Sequence, residues 1–277
     1  MAAEAKRLKR FSIAQRLWHL ALVVIFFLMG ITGLAWMYIE TGWGRMLAAP
    51  FGGWQGALEW HRIAGLVLLA LFALHILYSL MQIEWRHPFR WLAGPDSLMM
   101  QFGDVKGFFQ HLGWIFGLRE HPRYDRWSWY EKFDYWAVWW GFMIVGVTGL
   151  VLYNPVLSSD YMPGWLINVA LWIHRIEALM AMVHIFTVHF YLEHFRPKAL
   201  PFNAAMFDGT IPMSEAEEAH GAWVDRLEME GKLEAHLVPE PPVALRIAYF
   251  IGGYALIALG IFLLVFAFAN VAAVSLF

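Results

Sequence analysis

The residues best suited to chemistry are histidines set in apolar sequence. His19, His61, His75, His174, His184 and His189 fall within or at the mouths of apolar stretches, and His194 follows just beyond one. An ionisable side chain in hydrocarbon is costly and is there by default for function. One such histidine alone could be a hydrogen-bonded core residue, but six at matched depths need a common cause. His61 to His75 is 14 residues and His174 to His189 is 15, which at ~1.5 Å per residue are about 21 and 22 Å of helix. Both intervals lie within about 60° of four whole turns, so each helix offers two imidazoles on roughly one face. Opposed imidazoles at two depths suit two haems stacked across a bilayer about 30 Å thick. Zinc or iron sites would need three or four ligands converging at one depth, commonly with carboxylates. Apart from Glu177, the histidine-bearing stretches carry no acid, which argues against a metal transporter and a carboxylate proton relay. Arg62 and Arg175 adjoin His61 and His174; their guanidinium groups suit haem propionates or, in the plainer account, snorkel to the interface.

The elements that must position these residues are transmembrane helices. Of the 277 residues, 60% are hydrophobic and only 15% charged, where a soluble domain carries about 25%. Five apolar stretches, about Leu17–Ile39, Ile63–Ile83, Tyr135–Tyr153, Trp165–Leu192 and Ile247–Phe277, approach or exceed the roughly 20 residues a span requires. The expected fold is an all-α integral membrane bundle: four haem-binding transmembrane helices plus a fifth, C-terminal one. The first stretch is too long for a removable signal peptide, lacks a small-residue cleavage site and contains a histidine. Cysteine is absent, which excludes disulfides, cysteine-ligated clusters and covalent c-type haem. The net charge of −2 gives no reason to expect nucleic acid. The sixteen tryptophans fit a chain with much surface at bilayer interfaces.

Most of the 20 lysines and arginines fall in the N-terminal tail, after the second span and after the fourth. Positive residues stay inside, so the N-terminus is expected in the cytoplasm and the C-terminus outside, in a bacterial inner membrane. Residues 96–118, rich in Phe, Leu, Met and Trp, read as an interfacial segment along the inner face. Residues 203–240 are polar and acidic and read as a small cytoplasmic helix and tail, suited to docking. The expected organisation is a membrane domain over 1–200, a helical tail and linker over 201–243, and the fifth helix over 244–277.

The chain also repeats itself. Gly30-Ile-Thr-Gly-Leu34 recurs as Gly146-Val-Thr-Gly-Leu150, His61-Arg62 as His174-Arg175, and His75 as His189, offset by 113 to 116 residues. The first two spans therefore look like a pair repeated by the next two. Close helix packing through small residues is the plain account of the glycines. The repeat suggests that His75 and His189 form the inner pair.

With these residues in view, the sequence resembles the cytochrome b (gamma) subunit of respiratory formate dehydrogenase and its relatives in hydrogenase and thiosulfate reductase systems. The resemblance is carried by Arg16-Leu-Trp-His19, Thr32-Gly33, His61, Glu120-His121, Asp125, Tyr130, Lys132, Trp136, Leu171-Trp-Ile-His174, His184, His189, Asp208-Gly-Thr-Ile, Ala219-His220 and Trp223. It covers about residues 10–230. It implies two b haems passing electrons between an external redox partner, an iron–sulfur or multihaem cytochrome subunit, and menaquinone or ubiquinone near the inner face. It implies His61 with His174 for the outer haem and His19 with His189 for the inner. The chain departs from that pattern in three ways: its fourth-span histidines are one residue further apart than the usual fourteen, His75 is extra, and so is the fifth span. If His19 is the inner ligand, His75 is left for a quinone pocket or a third haem.

The function expected is an electron-transfer subunit of a membrane oxidoreductase, with no catalytic residue of its own assigned. His184, His194 and Arg196, with His75 and the aromatics of 108–116, are candidates for a quinone site, because neutral histidine can give and take protons near pH 7. The competing readings are a histidine-lined proton or ion transporter and a structural anchor for a soluble enzyme. A reduced-minus-oxidised visible spectrum separates the first from both.

Overall fold

The computed structural model describes residues 7–196 and 199–273; Lys6 and Lys198 of the basic clusters, and positions 274–277 of the fifth expected span, lie outside them. The described chain runs β1 (Arg7–Lys9), α1 (Ile13–Met37), α2 (Gly42–Ala48), α3 (Trp54–Met81), α4 (Pro88–Ala93), α5 (Phe102–Ile115), α6 (Trp129–Tyr153), α7 (Pro155–Ser159), α8 (Gly164–Val183), α9 (Ala205–Asp208), β2 (Thr210–Pro212), α10 (Met213–Ala219), α11 (Gly221–Met229), α12 (Leu233–His236), β3 (Leu237–Val238) and α13 (Val243–Ala269). Among the described residues five helices are long and apolar enough to cross a membrane: α1, α3, α6, α13, and α8 with its continuation to Phe195. This is the expected all-α integral membrane bundle, with one addition, a three-stranded sheet ordered β2-β1-β3.

The helices begin earlier than their apolar stretches. α3 starts at Trp54, so His61 lies two turns inside it, and α8 starts at Gly164, so His174 lies almost three turns inside. Both histidines therefore lie inside their helices rather than at the ends. The added turns hold Trp54, Glu59 and Trp60 in α3, and in α6 Tyr130, Glu131 and Lys132. Aromatic and charged residues suit the interface, and the helix continues through it because backbone groups entering a bilayer must already be paired.

The chain divides into two compact units. The first comprises the chain up to Trp18, Tyr78–Ala137 and Leu192–Gly252. Here β1 pairs antiparallel with β2 (Leu8 opposite Ile211) and with β3 (Leu8 opposite Leu237). Leu8, Phe11, Ile211, Ala216, Trp223, Val224 and Leu227 form the core. The stretch expected as a polar tail is thus part of a packed interior, where Trp223 and His220 are each 1% exposed. Gly209, at φ +85°, turns the chain so that its carbonyl accepts from the Arg10 and Phe11 amides at 2.8 and 3.0 Å. A Cβ there would sit 2.8 Å from the Phe11 carbonyl oxygen. Ion pairs tie the segments together: Arg10–Glu131 at 2.7 Å, Arg226–Asp125 at 2.7 Å and Lys132–Asp104 at 2.9 Å.

The expected interfacial segment contains α5. Its start is fixed by the Gln101 amide donating to Asp104 Oδ2 at 2.7 Å. Asp104 is buried while Phe102, Val105, Phe109 and Ile115 are exposed, the two-faced arrangement of a helix lying in a headgroup layer.

The second unit comprises His19–Leu77, Val138–Tyr191 and Gly253–Phe277. Ala35, Ala48 and Ala57 let α1, α2 and α3 approach closely. The Tyr38 hydroxyl donates to the Ala267 carbonyl at 2.7 Å, holding α13. At His184 the fourth span leaves α geometry and becomes π-helical over His184–His189, and again over Tyr191–Phe195.

His220 makes the first unit acid-sensitive. Burial, with Arg10 nearby, pushes its imidazole down to about 4 from 6.5, while Nδ1–H donates to the Asp125 carbonyl at 2.8 Å. Between those two pH values the unfolded chain binds a proton that the folded unit refuses, so stability is full above pH 6.5 and falls as pH drops toward 4. The loss is on the order of 3 kcal/mol. We expect His220→Gln, which keeps a donor, to flatten the acid limb of thermal unfolding followed by tryptophan fluorescence. An unchanged limb would refute this.

Candidate functional site

Two imidazole pairs stand in the second unit. His61 on α3 faces His174 on α8 with ring centres 6.2 Å apart, and His19 on α1 faces His189 on the π-helical turn at 6.3 Å. An imidazole nitrogen binds a metal at about 2.0 Å and stands roughly 1.15 Å from its ring centre, so two rings gripping one iron have centres about 6.3 Å apart. Both pairs therefore fit bis-histidine ligation of a haem iron. Among the described residues no three His, Asp or Glu side chains converge to hold a bare metal ion.

The first pair is oriented by the repeated Thr-Gly. Thr32 Oγ1 lies 3.0 Å from His61 Nδ1, and Thr148 Oγ1 lies 3.0 Å from His174 Nδ1. Each hydroxyl donates its single proton backward, to the Leu28 carbonyl at 2.6 Å and the Ile144 carbonyl at 2.7 Å. Each threonine oxygen must therefore accept from the histidine. The Met29 and Val145 carbonyls lie against the same imidazoles and can only accept. Nδ1 thus carries the proton in both rings, leaving the Nε2 lone pair for a metal. The glycine after each threonine makes the room: a Cβ on Gly33 would come 3.2 Å from His61 Cε1, and on Gly149 3.4 Å from His174 Cε1. The earlier glycines of the motif do the packing expected of them, Gly146 against Leu69 and Gly30 near Met182. Sequence reasoning quoted both threonines, in the repeat and in the resemblance, but gave neither of them this role.

The other candidates are dispersed. The ring facing His189 is that of His19, while His75 packs against Trp139 at 5.9 Å. The Arg62 guanidinium lies over the Tyr153 ring at 5.7 Å and that of Arg175 over Trp172 at 5.9 Å. His184 opens the π-helical turn.

In the first unit, His194 stacks flat on Phe202 at 4.4 Å. Arg196 donates to the Tyr130 hydroxyl at 2.7 Å and pairs with Glu215 at 3.5 Å. Beside Tyr130 lies His111, at 5.8 Å between ring centres. Its Nδ1 is 3.3 Å from the Tyr124 hydroxyl and accepts from Trp129 Nε1 at 3.3 Å. Burial, then the charges of His121 and Arg196, push the His111 imidazole below its ordinary value, so it is neutral at pH 7. Burial likewise raises the Tyr124 phenol. His111 and Tyr124 were also missed; the segment 108–116 had been singled out only for its aromatics.

Residues 10–198 match the family described as prokaryotic cytochrome b561. The cytochrome b556 subunit of formate dehydrogenase from Haemophilus influenzae is 24% identical over 237 residues, which cover 84% of this chain and 89% of that one. The family match spans more than half of the chain, and five apolar helices accompany it. The chain thus belongs to the prokaryotic cytochrome b561 family, as a multi-pass membrane cytochrome of the b type that serves in electron transfer.

Proposed function

We propose that this chain carries electrons between a quinone pool, menaquinone or ubiquinone, and a partner redox protein through two bis-histidine b haems. The observation that carries the reading is the pair of facing imidazole couples, both at the spacing one iron requires. His61 and His174 hold one haem, with Thr32 and Thr148 fixing their Nδ1–H groups. His19 and His189 hold the other, and His75 is not among its ligands. Arg62 and Arg175 are suited to the propionates of the first haem. A bound haem would supply one-electron chemistry. The chain's own residues set its depth, its ligand tautomers and its exclusion from water.

The positive-inside distribution supports a cytoplasmic N-terminus, an external C-terminus and the His61–His174 couple toward the outside of a bacterial inner membrane. The partner is then an external redox subunit, an iron–sulfur protein or a multihaem cytochrome. For quinone exchange we assign the polar cluster of the first unit. A quinol gives up two electrons and two protons, and the protons need acceptors at its oxygens. His111, neutral at pH 7 by its burial, can accept one at Nδ1 by releasing the Trp129 Nε1–H, and His194 is the candidate to accept the other. Arg196 and Tyr130 can donate to the carbonyl oxygens of the oxidised form. His184, on the part of the fourth span that belongs to the second unit, is a separate candidate.

Three outcomes test this reading. His61→Ala or His174→Ala should remove one haem per protein and His19→Ala or His189→Ala the other, with His75→Ala removing none; pyridine haemochrome stoichiometry measures this. If His75→Ala loses a haem while His19→Ala keeps both, the assignment of the second pair is wrong. Thr148→Val removes an acceptor from the His174 Nδ1–H, weakens the imidazole as a donor to ferric iron and should raise that haem's midpoint potential. The expected rise is about 40 mV, the one-electron equivalent of ~1 kcal/mol, read by redox titration. Substituting Arg196, His194, His184 or His111 should slow haem reduction by a quinol analogue while both haems stay bound. Wild-type rates in all four variants would refute the quinone site.

A further inference from the structure

The fourth span abandons α geometry where one of the paired histidines must be placed. From His184 to His189 the backbone closes π turns. Such a turn lodges one residue more than an α turn, is rare, and is frequent at functional sites. Its consequence here is rotational. Returning the segment to α geometry would carry His189 around the axis by one residue, about 100°. That would take its imidazole away from His19, now 6.3 Å off. The fifteen-residue interval from His174 to His189 is thereby matched to the pairing only while the π turn persists.

The turn is gripped through its middle residue. Phe186 is 3% exposed. Its ring stacks on Phe27 of α1 at 5.5 Å and meets Phe26 edge-on at 5.7 Å. Phe190 packs on it at 5.5 Å. α13 closes the remaining side with a notch: a Cβ on Gly260 would fall 2.6 Å from Phe186 Cδ1 and 2.7 Å from Cε1. Those distances admit no side chain at 260 unless the ring moves. α13 is itself pinned by the bond from Tyr38 to Ala267, and it lies beyond the family match, which ends at residue 198.

We propose that α13 buttresses the π turn, and that Gly260 and Phe186 are positioning residues that hold His189 in register with His19. This rests on the two-haem reading above. A side chain at 260 drives Phe186 out of its notch, the turn relaxes, and His189 rotates. The His61–His174 couple, on α3 and on the regular part of α8, stays as it is.

The test uses the purified full-length protein, with haem content, low-spin ferric EPR signals and midpoint potentials measured for each haem. The two signals are told apart in His61→Ala and His189→Ala. Gly260→Leu should lose the His19–His189 haem or shift its signal and potential, leaving the other haem at its wild-type values. Adding Phe186→Ala to Gly260→Leu should restore the lost or shifted signal, because the new side chain then occupies the vacated ring volume. A merely structural role for α13 would disturb both haems and would not be rescued. Should Gly260→Leu fail to assemble, Gly260→Ala carries the test, with a shift in the same one signal expected. Unaltered signals in Gly260→Leu or Gly260→Ala, equal loss of both haems, or failure of the second substitution to restore the signal overturns the proposal. Absence of b haem from the wild-type protein would instead overturn the reading on which it rests.

Discussion

The bond from a histidine Nδ1–H to a threonine hydroxyl, made twice in corresponding places, is the interaction on which the site depends. In a bilayer no water is at hand to satisfy the second nitrogen of a ligand imidazole. The threonine does this without adding an unsatisfied donor of its own, since its proton is already committed to the carbonyl one turn back. Its branched side chain is stiff about χ1, so the accepting lone pair points in a fixed direction. The bond is worth ~1 kcal/mol in stability, a small sum beside the packing of two spans. Its weight lies in choosing the tautomer, because an imidazole protonated on Nε2 has no lone pair there to offer a metal. The glycine next to each threonine belongs to the same device: without it the ring could not come close enough to make the bond.

In the first unit the organising force is charge pairing in a partly buried setting. Arg7, Arg10, Arg196 and Arg226 were counted in the sequence as part of an orientation signal, and Asp208 and Glu215 as part of a solvated tail. They are one another's partners or share them: Arg7 meets Asp208 at 3.5 Å and Arg196 meets Glu215 at 3.5 Å. A buried pair of this kind adds little net stability, but losing one member strands a charge and costs about 3–5 kcal/mol. That asymmetry selects one arrangement of β1, β2 and α10 over others, and it explains why an acidic stretch sits in a packed core. The same basic residues carry the orientation signal of the sequence, and that signal is indifferent to whether they are paired.

The spans were legible because length and apolarity are all that a bilayer asks. Their true starts were not, because the interfacial turns that carry Trp54, Trp60 and Tyr130 contain the polar residues that apolarity counts against. β1 was illegible for a different reason: Arg-Leu-Lys is too short to show a period of two, and its partners lie more than 200 residues away. His61 with His174 could be read from the repeat. The support by Thr32 and Thr148 could not, since a small-residue motif in a membrane helix already has a sufficient explanation in packing, and Gly146 against Leu69 shows that this explanation also holds. The π turn left one trace, the interval one residue longer than that of the family the sequence resembles. Helical arithmetic alone, which put both intervals within about 60° of four whole turns, gave no sign of a change of helix type.

The two pairs differ in how they use the repeat. His61 and His174 are counterparts, and each is served by the Thr-Gly of the span preceding its own, so this pair is the point where the two halves of the repeat meet as equals. The same symmetry would couple His75 with His189, and it places Tyr135 opposite His19 in the alignment of the halves. The structure instead couples His189 with His19 and leaves His75 against Trp139. A tyrosine on the corresponding turn offers iron a phenolate rather than a neutral imidazole, so only one half has a histidine to give at that level. Once the symmetric choice is given up, nothing in the repeat fixes the angle at which His189 must point. That angle has to come from elsewhere, from Phe186 wedged between α1 and a helix that has no counterpart in either half.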